Sequence, residues 1–212
     1  MFARDARVAR IVEILDKARA DVIALQEVML AEYNVIKARY GARYHVCRGR
    51  AIVWQRTPSK SFNVIVLRRD MFDTPRLKNY EFGLFVHACS RSREFAIFNI
   101  HLDDVSSTKR ADQMKTILEQ CAREPNVILC GDFNANYTPA SKLYKSAEIA
   151  GFQITNKAPT YFIGRPICID NIMVKGTLRP AAHVPAIVGD AAAVFARYGS
   201  DHLPVISGRA PN

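Results

Sequence analysis

Among the 5 cysteines of this 212-residue chain there is no Cys-x-x-Cys pair, which argues against a zinc ribbon or a disulfide scaffold. No apolar run approaches the roughly 20 residues that a membrane-spanning helix needs. There is no Gly-x-Ser-x-Gly, no Gly-x-x-x-x-Gly-Lys and no Gly-x-Gly-x-x-Gly, so a nucleophilic serine hydrolase, a P-loop enzyme and a dinucleotide-binding enzyme find no support. Repeats, low-complexity tracts and linkers are lacking as well. Acidic residues are in short supply: 20 Asp and Glu stand against 30 Lys and Arg, giving a formal net charge of +10 and a pI near 9.6. That imbalance favours a polyanionic partner, nucleic acid ahead of an anionic membrane surface. The start of the chain carries Arg and Asp from residue 4 and has no signal-peptide apolar core. Several cysteines lie inside apolar runs, as Cys130 and Cys168 do. We therefore expect a soluble intracellular protein, cytoplasmic or nuclear, with reduced and buried thiols and no stable membrane association.

What is present is an alternation of helical and strand-like patterns. The length suits one domain, residues 1–212, with a sizeable core. Val8, Ile11, Val12, Leu15 and Ala18 recur at helical spacing, predicting a helix over 5–19, and a second helical pattern covers 29–40. Short β-rich runs at 22–25, 51–54, 62–67, 80–86, 95–101, 127–130, 167–174, 184–188 and 203–206 predict strands. Ser107 or Thr108 is placed to cap a helix bearing Met114, Ile117, Leu118 and Cys121, and another helix follows Pro139. Hairpin-like and crossover-connected strands together imply an α/β fold, with a mixed sheet or two packed sheets and helices outside.

The polar residues at the strand ends carry the chemistry. Asn126-Val127-Ile128-Leu129-Cys130 runs into Gly131-Asp132-Phe133-Asn134; at strand spacing, Asp132 and Asn134 would face one centre together. The same grammar recurs at Gln26-Glu27, at His101, at Asp170 and at Asp201-His202, each where a strand gives way to a loop. Taken singly, each has a plain structural explanation. Glu27 would balance a helix dipole, Asp201 would be a solvated loop acid, and His101 an ordinary strand-end histidine. Asp170 is the exception, because a carboxylate inside an apolar run is costly unless a His⁺ or a metal ion pairs it. Carboxylates without a Cys/His cage point to Mg²⁺ or Mn²⁺ rather than Zn²⁺.

Leu25-Gln26-Glu27-Val28, Asn99-Ile100-His101-Leu102, Gly131-Asp132-Phe133-Asn134, Ile169-Asp170-Asn171-Ile172 and Ser200-Asp201-His202 resemble, in order and approximate spacing, the endonuclease/exonuclease/phosphatase superfamily of divalent-metal phosphoesterases. Arg110 and Gln113 look like its Arg-x-x-Gln feature, and Thr160-Tyr161 is similar to its deadenylase and phosphodiesterase branches. The resemblance implies a four-layer α/β/β/α sandwich of two mixed β-sheets flanked by helices, with the site at one end. It also implies that Glu27 holds the metal with Asp201 near it, and that Asp132 orients or deprotonates the attacking water. Asn134 would fix the phosphate or that water. His202 would donate to a non-bridging oxygen, Asp170 would hold His202, and His101 would contact the phosphate from the other side. The family usually opens on a strand bearing a Thr/Ser-x-Asn motif. Met1-Phe2-Ala3-Arg4 lead almost directly into the first helix, so we expect one sheet short of a strand and the metal short of a ligand.

The function expected is that of a Mg²⁺- or Mn²⁺-dependent phosphodiesterase acting on DNA or RNA, as a nuclease or in processing DNA ends. A basic stripe from Arg39, Arg43, Arg48, Arg50, Arg56 and Lys60, with Lys109 and Arg110 nearer the site, would track a phosphate backbone. Tyr44 and Trp54 are placed either to stack bases or to fill the core. The competing readings are an enzyme for a small phosphorylated molecule or lipid, and a non-catalytic nucleic-acid-binding protein.

Overall fold

The computed structural model describes residues 4–53, 60–91, 93–178, 182–183, 194, 197–198 and 200–207. Its long helices among the described residues are α1 (Arg4–Ala18), α2 (Leu30–Tyr40), α3 (Ser107–Cys121) and α4 (Lys142–Ile149). The strands are β1 (Val22–Met29), β2 (Tyr44–Val53), β3 (Lys60–Arg68), β4 (Arg76–Tyr80), β5 (Gly83–Ser90), β6 (Arg93–His101), β7 (Val127–Asp132), β8 (Gln153–Ile154), β9 (Asp170–Lys175), β10 (Ala182–His183) and β11 (Ile206–Ser207).

The two-residue period of the strands decides the layers. On β3, Phe62, Val64 and Val66 face outward and meet Leu15 of α1 with Tyr33, Ile36 and Tyr40 of α2. Ile65 and Leu67 face the opposite way and meet Leu84, Val86 and Ile97 of a second sheet. On β6 of that sheet, Ala96, Phe98 and Ile100 point out toward Met114, Ile117 and Cys121 of α3 and toward Tyr144 and Ala147 of α4. Val64, Ile65, Val66 and Leu67 are wholly buried because both faces of β3 are covered, and each such side chain contributes about 1.5–3 kcal/mol of transfer free energy. The order is therefore helices, sheet, sheet, helices: the four-layer sandwich that the resemblance implies.

The smaller sheet runs β1-β3-β2 and the larger β4-β5-β6-β7-β9-β8, while β10 and β11 form a separate pair. Among the described residues β1 pairs with β3 alone, and both pairings of the smaller sheet are antiparallel. Among the described residues the parallel pairing is β6 with β7, and α3 supplies the crossover that such a pairing requires.

Several boundaries differ from those the sequence suggests. β1 does not stop at Leu25 but continues to Met29 through a bulge: Leu25 faces Val64 and Val28 faces Phe62, so Gln26 and Glu27 together face Asn63. β2 begins at Tyr44 and bulges at the same level, with Gly49 and Arg50 also opposite Asn63. Residues 80–86 are two strands turning at Glu81-Phe82, since Tyr80 pairs with Gly83. The cap of α3 is Ser106, whose Oγ accepts the Lys109 N–H at 3.2 Å, so the helix starts one residue after it rather than after Ser107 or Thr108. Residue 29 caps α2 instead of joining it, and its N–H donates to Glu32 Oε2 at 2.8 Å. Within 167–174 the strand begins only at Asp170, Ile167 making an isolated bridge to Tyr161. Within 203–206 only Ile206 pairs in a strand, with His183. The expected strand at 184–188, Trp54 and Arg56 lie outside the described residues.

At Gly131, as at Gly176, a positive φ and a close approach of backbone coincide. The φ of Gly131 is +132°, and a Cβ there would sit 2.0 Å from the Ile100 carbonyl oxygen of the neighbouring strand. Gly151, at φ +88°, has nothing within 4 Å of the same position. Gly131→Ala is expected to destabilise by more than about 2 kcal/mol, from strain plus displacement of β6, and Gly151→Ala by only about 1 kcal/mol. Urea denaturation of both variants checks the difference.

Candidate active site

Strand register sets out the site. His101 is the last residue of β6 and lies opposite Asp132, the last of β7; Asp132 in turn lies opposite Asp170, the first of β9. The three side chains form a lateral row on the inter-sheet face at one end of the larger sheet, and all three are buried. His101 Nε2 is 3.6 Å from Asp132 Oδ2. His202 arrives from the loop before β11 and extends the row, its Nδ1 lying 2.8 Å from Asp170 Oδ2. Candidate ligand atoms of Asp132, Asp170 and His202 all lie within 4.8 Å of one another.

Asn134 joins the row differently from the way its spacing suggests. β7 ends at Asp132, so strand alternation no longer applies two residues on. Instead Asn134 takes a left-handed backbone, φ +47°, that turns it back toward Asp132. Its N–H donates to Asp132 Oδ1 at 2.7 Å and its Nδ2 to the Leu102 carbonyl at 2.8 Å, which joins the ends of β6 and β7. Glu27 stands at the rim from the other sheet, exposed, and is likewise left-handed at φ +54°, a conformation less natural for Glu than for Asn. Asp201 is partly exposed beside His202.

Three residues that sequence reasoning assigned no such role hold this geometry. Thr160 Oγ1 accepts the N–H of Asp170 at 3.1 Å and of Ile169 at 3.3 Å, while its carbonyl accepts the Leu203 N–H at 2.8 Å. One buried threonine thus ties the strand of Asp170 to the loop of His202. Asn156 Nδ2 donates to the Asp170 carbonyl at 3.0 Å, and Asn136 Oδ1 accepts the Cys168 N–H at 3.0 Å. Both asparagines sit in polar stretches that read as ordinary turns, so no local pattern distinguishes them. Tyr161 lies against the His202 ring, centroids 4.9 Å apart. Arg110 and Gln113 brace the loop after His101: Arg110 Nη1 donates to the Asp103 carbonyl at 2.9 Å, and Gln113 Oε1 accepts the Asp103 N–H at 2.9 Å.

The electrostatics pull the two histidines apart. Burial, and then the nearby His202 charge, push His101 down to about 4, so it is neutral at pH 7. Burial would also lower His202, but the Asp170 hydrogen bond outweighs it with the charges of Asp170, Asp132 and Asp201, and raises the ring to about 9. Burial raises the Asp132 carboxyl, and the Asp170 charge raises it further. Glu27, although its surface is open to solvent, is crowded by surrounding protein atoms, and that desolvation and then the Asp201 charge raise it. Buried or crowded carboxylates that raise one another, with oxygen as the main donor, suit a hard divalent cation, whose charge would relieve that repulsion.

A proton on His202 therefore stabilises the fold fully below its ordinary pKa of 6.5, and that contribution is lost as pH rises toward about 9. Asp170→Asn removes the hydrogen-bonding carboxylate and its charge. It should move the His202 titration to lower pH, as read from its imidazole NMR resonances, with wild type still protonated at pH 7.5.

The Endonuclease/Exonuclease/phosphatase family model matches residues 2–202. No curated protein matches the sequence. Among solved structures, an endonuclease/exonuclease/phosphatase from Bacteroides vulgatus superposes with a TM-score of 0.76 at 17% identity, covering 96% of this chain and 89% of that one. D. rerio TDP2 complexed with single-strand DNA product gives 0.67 at 15%, covering 95% and 90%. The mannosyl-6-phosphatase of Bacteroides thetaiotaomicron VPI-5482 gives 0.70 at 18%, covering 96% and 90%. At these identities the likeness to solved structures speaks for the fold. With the family match running from the first helix to His202, the chain belongs to the endonuclease/exonuclease/phosphatase family, whose members are divalent-metal-dependent phosphoesterases.

Proposed function

We propose that this protein is a Mg²⁺- or Mn²⁺-dependent phosphodiesterase that hydrolyses phosphodiester bonds of nucleic acid. The observation that carries the reading is the contact of His202 Nδ1 with Asp170 Oδ2 at 2.8 Å, in the same row as Asp132. That arrangement offers a proton donor and a base on one sheet edge, which in-line attack of water on a phosphodiester requires.

The roles follow from position and charge. Asp132 in its carboxylate form orients the attacking water and takes its proton, with a basicity that burial increases. The backbone N–H of Asn134 fixes the Asp132 carboxylate, and the Asn134 side chain, anchored by Nδ2 on the Leu102 carbonyl, would fix the phosphate or the water. His202 donates to a non-bridging oxygen and stabilises the charge that develops there, and Asp170 keeps its other ring nitrogen engaged. Neutral His101 contacts the phosphate from the opposite side as a hydrogen-bonding group, not as a charge. Glu27 and Asp201 would hold the divalent cation, which supplies charge neutralisation on the phosphate oxygens.

The substrate class rests on the net charge of +10 and on the exposed cations near the Glu27 bulge. Arg48 and Arg50 belong to or adjoin the β2 bulge at the same Asn63 level, and the Arg48 guanidinium lies 4.9 Å and 4.6 Å from the Tyr33 and Phe62 ring centroids. Lys60 is exposed next to the Met29 partner Ser61. The stripe is narrower than the sequence suggests, because Arg39 is engaged with Asp16 and Lys109 with Asp103. Tyr44 is no stacking platform: it is buried, and its ring meets Tyr40 edge-on at 5.8 Å.

Asp132→Asn should lower Mg²⁺-dependent cleavage by on the order of 10² or more while leaving the thermal midpoint near wild type, since a group that takes the water proton contributes about that much. The assay is a panel of single- and double-stranded DNA, RNA, poly(A), a tyrosyl-ended oligonucleotide and a sugar phosphate. Near-native turnover of the variant would overturn the assignment of Asp132. Turnover of the sugar phosphate alone would move the substrate to small phosphorylated molecules.

Binding of a labelled oligonucleotide should also weaken log-linearly with salt through counterion release. Fluorescence anisotropy between about 50 and 200 mM salt measures the slope, and a flat response would remove the nucleic-acid assignment.

A further inference from the structure

We propose that Asn99 is the positioning residue for Glu27. The inference rests on the reading of Glu27 as a metal ligand and adds what puts Glu27 there. Asn99 is wholly buried on the inter-sheet face of β6, two residues before His101 and on the same face. Every polar atom of its side chain is spent on the opposite sheet. Nδ2 donates to the Leu25 carbonyl at 2.8 Å and to the Val64 carbonyl at 2.9 Å, and Oδ1 accepts from Gln26 Nε2. Its own carbonyl accepts from Asn63 Nδ2 at 3.3 Å.

These contacts all fall on one feature. Leu25 and Gln26 immediately precede Glu27, and Asn63 and Val64 are the β3 residues that face the bulge. Glu27 occupies a left-handed conformation, φ +54°, that a glutamate seldom adopts, and a one-residue slip of β1 would turn its side chain to the other face. Asn99 clamps the bulge against that slip. Because β6 also ends in His101, one strand fixes both the row of the larger sheet and the separation between that row and the acid contributed by the smaller sheet. The two halves of the site are thus set against each other through the core and not through loops.

The test measures Mn²⁺ binding by electron paramagnetic resonance of the free ion. In parallel it measures the Mn²⁺ needed for half-maximal cleavage of bis(p-nitrophenyl) phosphate against the plateau rate. Asn99→Leu removes both ends of the clamp. Gln26→Leu removes one contact at a partly exposed position and serves if Asn99→Leu does not fold. Ile97→Val thins the same inter-sheet layer away from the bulge and is the control for general loosening. Glu27→Gln tests the metal assignment itself. We expect Asn99→Leu and Gln26→Leu to weaken Mn²⁺ binding, by about tenfold for the former, with the required metal concentration rising more than the plateau rate falls. Ile97→Val should lower the thermal midpoint without weakening Mn²⁺ binding. If Glu27→Gln weakens Mn²⁺ binding while Gln26→Leu and Asn99→Leu do not, or if Ile97→Val weakens it equally, the role of Asn99 is overturned and the metal assignment stands. If Glu27→Gln itself leaves Mn²⁺ binding unchanged, the metal assignment of Glu27 falls, and the role of Asn99 with it.

Discussion

The register of β7 between β6 and β9 is the constraint on which the rest of the site depends. Parallel pairing on one side brings Asp132 beside His101, and antiparallel pairing on the other brings it beside Asp170. A shift of one residue in either ladder would send a carboxylate to the helix face among Phe98, Ile100 and Leu129, where nothing charged is tolerated. The apolar alternation of all three strands therefore enforces the polar row as well, because the same periodicity that buries Phe98 and Leu129 outward holds His101 and Asp132 inward. Gly131 is part of that enforcement, since any side chain there would collide with the Ile100 carbonyl and open the β6–β7 pairing.

Two acids packed side by side would repel one another in isolation, and His202 is the group that makes the arrangement stable within the protein. Its hydrogen bond to Asp170 keeps a positive charge next to two carboxyl groups. Burial and the Asp170 charge raise the Asp132 carboxyl, and burial with the His202 charge keeps His101 neutral, so the two histidines of one row take opposite protonation states from burial and proximity alone. Thr160 makes this pairing reproducible: it accepts from the Asp170 backbone and is bonded through its carbonyl to the segment following His202.

The polar groups buried between the sheets are a second cost that the fold accepts. Asn63 and Asn99 occupy a layer otherwise filled by Ile65, Leu67, Leu84 and Ile97, where apolar side chains would pack without desolvation loss. Asn99 offsets its burial by bonding carbonyls on two strands of the facing sheet. What such bonds contribute is a fixed relation between bulges and ladder that apolar packing alone leaves free to slide.

How much of this was legible beforehand divides by range of interaction. The helices near 5–19 and 29–40, the strands ending at His101 and near Cys130, and the placing of His101, Asp132 and Asp170 at strand ends follow from apolar periodicity and local order, which are properties of the chain itself. The motifs that resemble the family carried the layer order too. The structure alone decided which partner each strand takes, that β1 bulges at Gln26-Glu27 instead of ending, and that Asn134 reaches Asp132 through a left-handed turn and not by alternation. It alone brought Thr160, Asn156 and Asn136 to the support of Asp170, and drew Tyr44 into the core. Periodicity says which face a residue takes but not what lies opposite, because pairing across strands is fixed by contacts between residues that are distant in sequence.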